Sequence, residues 1–73
     1  MMKAPNLRTL RQRRLLSQQD LASKAGVAPR TVVSLEAGGA ARYVTLRKLA
    51  EALGVSAETL LAEPPADQAK ASA

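Results

Sequence analysis

The sequence predicts an all-α domain, a compact set of five short helices. Two observations carry that expectation. Apolar residues recur at helical spacing along most of residues 6–62, and Ser, Pro and Gly stand where such helices would start and stop. The remainder, residues 63–73 (EPPADQAKASA), has two prolines and no large apolar residue, so a disordered C-terminal tail is expected there.

In NLRTLRQRRLL, Leu7, Leu10 and either Leu15 or Leu16 fall three to six residues apart, with Arg8, Arg11, Arg13 and Arg14 between them. This pattern predicts a basic amphipathic helix, with Asn6 as its N-cap and an end near Leu15. Ser17 and Asp20 then stand at capping-box spacing, so a second helix starts at Gln18. Its apolar face is Leu21, Ala22 and Ala25, and Gly26 suits the left-handed residue that closes a helix. At two turns it is too short to be stable without packing against its neighbours. Val27 and Ala28 connect it to a third helix. Pro29 marks the first turn of that helix, because a proline in a helix interior costs about 3 kcal/mol but costs nothing at the start. This helix ends near Ala37, before Gly38. It turns Val32 and Leu35 inward and Arg30, Thr31, Val33 and Ser34 outward.

AGGAARYV is expected to be a loop. In TLRKLAEALG, Leu46, Leu49, Ala50 and Leu53 follow the i, i+3, i+4, i+7 rule, with Thr45 as cap and Gly54 as stop. Ser56 caps a fifth short helix, which turns Leu60 and Leu61 inward and sets Glu58 near the positive end of the helix dipole.

Composition narrows the function. A chain of 73 residues makes one domain and buries only about 60% of its unfolded surface, so its margin of stability is thin. It has no cysteine and no histidine, and the six carboxylates are scattered, so neither a metal site, a cofactor nor an acid/base pair is expected, and an enzyme is improbable. Residues 1–48 hold ten of the eleven Lys and Arg against Asp20 and Glu36 alone, a net charge of +8; the rest of the chain carries −3. That asymmetry suits a polyanion binder with a neutral or acidic far end. No apolar run reaches the roughly 18 residues that span a bilayer, and there is no signal-peptide core, so a cytoplasmic protein is expected.

Two short helices joined by a tight glycine turn, with Ala22 where their backbones approach, describe a helix-turn-helix over about 18–37. From Leu7 to Leu61, three quarters of the chain, the sequence resembles the Cro and lambdoid phage repressor family, the xenobiotic-response-element type of helix-turn-helix regulator. The resemblance implies a five-helix lambda-repressor-like domain that sets its second helix across the phosphate backbone and its third in the major groove of double-stranded DNA. By position, it implies that Ser17 and Gln18 meet a phosphate, that Pro29, Arg30, Val33 and Ser34 face the groove, and that Arg42 lies on the backbone or near the minor groove. Arg11 and Glu36 match a salt bridge that ties helix one to helix three in several members.

Each assignment stands beside a plainer one. Arg30 is a base reader or a solvated arginine, Ser34 a contact or exposed filler, and Val33 a partner for a thymine methyl or a lone exposed apolar residue. Thr31 is a groove residue or satisfies backbone groups in the first turn. Gln18 meets a phosphate or water. Glu36 is more structural than functional, the other arginines of helix one form a solvated face, and Tyr43 packs over the loop rather than on a base. Relatives often carry polar side chains at the positions of Ala28 and Pro29, so base reading here rests on Arg30, Ser34 and DNA shape.

The first functional reading is a sequence-specific transcriptional regulator of prokaryotic or phage type, a repressor by preference. It would bind a pseudo-palindromic operator as a homodimer, with Glu58 and Thr59 near the dimer contact. An antitoxin or adaptor that binds a protein partner as well as DNA is the second reading. A basic helix lying on a membrane surface ranks last, because it explains only helix one.

Overall fold

The computed structural model describes residues 1–62. The expected tail at 63–73 lies outside them. Five helices form: α1 (Leu7–Arg13), α2 (Gln18–Ala25), α3 (Pro29–Glu36), α4 (Tyr43–Leu53) and α5 (Ala57–Leu61). Two short strands, β1 (Met2–Lys3) and β2 (Ala40–Ala41), pair antiparallel, with Met2 opposite Ala41 and Lys3 opposite Ala40.

The core is wholly aliphatic. Leu7, Leu21, Val32, Leu46, Leu49, Leu53 and Leu60 are fully buried, one or more from every helix, and Ala4, Leu10, Ala22, Leu35, Ala41 and Ala50 complete it. Each buried leucine or valine stabilises the fold by about 1.5–3 kcal/mol relative to exposure, so this set outweighs any surface interaction. Val32 and Leu35 are buried and seal α3 onto the shared core, as the inward pair predicts.

Start and stop signals act as expected in α2 and α5. Ser17 Oγ accepts from the Asp20 N–H at 2.9 Å while the Asp20 carboxylate accepts from the Ser17 N–H at 3.3 Å, a complete capping box. Gly26 is left-handed at φ 74°. Pro29 opens α3, and Ser56 Oγ accepts from the Thr59 N–H at 3.2 Å.

Several expectations are corrected. Asn6 holds the N-cap position of α1, but its side chain makes no capping bond: it is buried, and its amide donates to the Thr59 carbonyl of α5 at 3.0 Å instead. Helix α1 ends at Arg13, two residues early. Leu15 adopts a left-handed φ of 57° and stays 91% exposed, so Leu16 is the leucine that packs on the core. The segment expected as a loop is half structured, since Ala40 and Ala41 pair with β1. Having left the strand, the chain opens α4 at once. Arg42 takes the N-cap position and its carbonyl accepts from Thr45 and Leu46 N–H at 3.0 and 3.1 Å, so Thr45 lies inside the helix instead of capping it. Tyr43 therefore sits in the first turn of α4, half exposed, instead of packing over a loop.

Candidate nucleic-acid interface

Helix α3 is amphipathic and lies against the core by one face only. Its outer row is Pro29, Arg30, Val33 and Ser34, all exposed, with Thr31 half-buried at the edge. The N-terminal turn has no side-chain cap and no acidic residue, so nothing on it repels a polyanion.

Open clefts flank this row on both sides. The first, about 380 Å³, is lined by Arg30, Thr31 and Ser34 of α3, Ala40, Ala41 and Arg42 of the following segment, Thr45 of α4, and Met1. A tight turn brings Arg42 there. The Gly39 N–H donates to the Ser34 carbonyl at 2.8 Å, and a Cβ on Gly39 would lie 2.5 Å from Ser34 Oγ and 2.8 Å from that carbonyl oxygen. Only glycine lets β2 start so close to α3. The second cleft, about 430 Å³, is lined by Arg8, Arg11, Gln18, Val33, Glu36 and Ala37.

A charged network fixes the floor of the second cleft. Arg11 holds both carboxylate oxygens of Glu36, Nε on Oε2 and Nη2 on Oε1 at 2.9 Å, and its Nη1 donates to the Leu16 carbonyl at 2.8 Å. Gln18 Nε2 donates to the same Glu36 Oε1 at 3.1 Å. The Arg11 and Glu36 side chains are only 12% and 5% exposed, so the pair is shielded from water and salt. Hydrogen bonding to Glu36 raises the Arg11 pKa further above the ordinary arginine range, against the opposing cost of burial. One guanidinium thus joins α1 and α3 and also secures the turn after α1.

A helix-turn-helix family model matches residues 7–60 of the chain. The chain belongs to the Cro and phage-repressor-like helix-turn-helix family. Among solved structures this helix-turn-helix chain is similar to the crystal structure of a hypothetical transcription factor, NHTF, from Neisseria. The two share 33% identity and superpose with a TM-score of 0.75, over 90% of this chain and 76% of that one. No curated protein matches it significantly.

In this helix-turn-helix domain the motif is α2, the turn at 26–28, and α3. The residues singled out in the sequence divide among three places. Arg30, Thr31, Ser34 and Arg42 share the first cleft; Arg11, Gln18, Val33 and Glu36 share the second; Ser17 stands at the start of α2, its Oγ engaged as the cap acceptor. Pro29 begins α3. Gln18 is not a plain solvent residue, because one N–H of its amide is held by Glu36 while the second remains available as a donor. Arg8, Thr45 and Met1 also line these clefts, and sequence reasoning passed over them as a cleft lining. Arg8 carried a usable signal: it lies within α1 three positions before Arg11, and so shares its face. The position of Met1 depends on the β1–β2 pairing, which no periodicity announces.

Proposed function

We propose that the protein is a sequence-specific transcriptional regulator that inserts α3 into the major groove of double-stranded DNA, and that it acts as a repressor by occluding promoter sites. The observation that carries this reading is the arrangement of α3. It offers an exposed row of Arg30, Val33 and Ser34, and Arg42 lines the same open cleft as Arg30. In the proposed complex Arg30 reads a guanine edge, Val33 packs on a thymine methyl, and Ser34 makes a further base contact. Pro29 and Thr31 border the groove. Ser17, whose hydroxyl proton is free to be donated, Gln18 and Arg42 contact phosphates and set the register. Arg11 and Glu36 hold α3 at its angle to α1.

Membership of the family and the likeness to a hypothetical transcription factor support regulation of transcription. Among the described residues no helix is long and apolar enough to cross a membrane, in keeping with the proposed cytoplasmic site of action. A single α3 reads only a few base pairs, so two copies on half-sites about 34 Å apart are proposed, with the exposed Glu58 and Thr59 of α5 near their contact. In-vitro selection from a random pool of duplex DNA tests the reading. A recovered pseudo-palindrome is the expected result. A selection that enriches no sequence overturns it and favours the role of a protein-binding antitoxin or adaptor.

A further inference from the structure

The second cleft holds a cation that the reading above does not use. Arg8 is exposed on α1 and lines that cleft together with Val33 and Glu36 of α3. Among the described residues it makes no hydrogen bond or ion pair. The cleft's own carboxylate, Glu36, is already engaged at both oxygens: Oε2 takes Arg11 Nε, and Oε1 takes both Arg11 Nη2 and Gln18 Nε2. The ion pair beneath Arg8 is therefore neutral, and the charge of Arg8 is left uncompensated at the rim. Lys3, also exposed, continues the positive strip across a smaller cleft of about 120 Å³ that Arg8 lines as well.

Arg42 and Arg8 thus stand on opposite flanks of α3, each on the rim of a cleft that the helix separates. A helix seated in a major groove about 12 Å wide has a phosphate backbone on either side. We propose that Arg8 is a phosphate-binding residue, the counterpart of Arg42 on the flank that Gln18 also lines, so that a cation clamps the backbone on each side of the recognition helix. This inference rests on the major-groove reading above. It assigns to Arg8 a role that a solvated helix face would not have, and the neutralisation of Glu36 by Arg11 is compatible with it: an unpaired carboxylate at this point would repel the phosphate or capture Arg8.

The test compares Arg8→Ala, Arg8→Lys and Arg14→Ala on the duplex recovered by selection and on a mixed-sequence duplex, with binding measured over a range of salt concentrations. Arg14 is the control. It removes the same charge from the same segment, but its guanidinium lies near Gly54, at the turn between α4 and α5. Circular dichroism establishes that each variant is folded. For Arg8→Ala the expected result is a roughly tenfold loss of affinity on both duplexes, with the slope of log K against log salt concentration shallower by about one. Arg8→Lys should keep the wild-type slope, and Arg14→Ala should change it little. An unchanged slope for Arg8→Ala, or an equal change for Arg14→Ala, overturns the clamp while leaving groove reading intact. A wild-type protein that binds neither duplex overturns the major-groove reading and the clamp together.

Discussion

Arg30 and Arg42 line one cleft, yet they are assigned opposite kinds of work. Arg30→Ala should weaken the preferred site by about 1–3 kcal/mol and relax one base position, whereas Arg42→Ala should weaken all sequences alike and make the salt slope shallower. Titrations on the selected site and on single-base variants of it separate the two; equal loss on every sequence for Arg30→Ala would argue against base readout. Leu15 is a second case where one residue decides something. It occupies a left-handed backbone position that costs a side chain about 1–2 kcal/mol, and its exposed side chain recovers little through packing. Leu15→Gly should therefore stabilise the domain by about 0.5–1 kcal/mol, the gain being reduced by the greater freedom of glycine in the unfolded chain. A rise in melting temperature is the readout. The sequence could not disclose this strain, because a leucine after a helical run reads equally well as a last core position. For the same reason the spacing left Leu15 and Leu16 as alternatives for the core, and only the observed turn separates them.

At the scale of elements, four helices close in the same way. The N–H of the residue that follows a left-handed one returns to a carbonyl five positions back: Leu16 to Arg11, Val27 to Ala22, Gly39 to Ser34 and Val55 to Ala50, at 3.2, 3.0, 2.8 and 3.0 Å. Gly26, Gly38 and Gly54 occupy the left-handed position in three of them, and those three ends were legible for that reason. The end of α1 was not legible, because Leu15 takes the place of the glycine. Helix starts followed the same logic. Ser17 and Ser56 cap through local bonds that spacing reveals, whereas Asn6 is diverted to Thr59, fifty-three residues away, by a contact that exists only in the folded chain. Between elements, the Arg11–Glu36 pair ties α3 to α1. Glu36→Ala would leave a largely buried guanidinium without its partner, and should cost about 3–5 kcal/mol of stability, as measured by denaturant unfolding. The double replacement Arg11→Met, Glu36→Leu should recover most of that loss, since it removes both charges together.

For the whole molecule, stability rests on one aliphatic core built from short helices, none of which would persist alone. Val32 is fully buried at the centre of α3. Val32→Asp places an unpartnered charge there, at a cost of several kcal/mol. A domain of this length has roughly 0.05–0.15 kcal/mol of stability per residue, so the substitution should unfold it. Loss of the helical circular dichroism signal and of the cooperative thermal transition is the expected outcome; a cooperatively folded variant would contradict the inward face of α3.

By itself the sequence determined the five helices, the inward and outward faces of α3, most helix ends, and the concentration of positive charge before residue 49. These follow from interactions within a few residues of one another: helical periodicity, caps and left-handed glycines. The tertiary structure alone decided which distant groups meet. It paired Met2–Lys3 with Ala40–Ala41, moved the start of α4 from Thr45 back to Tyr43, drew Asn6 onto α5, and brought Arg42 and Arg8 to opposite flanks of one helix. A local pattern fixes where a side chain lies around its own helix axis. Which other side chain it faces depends on how the helices pack, and that is settled by the shared burial of leucines from all five.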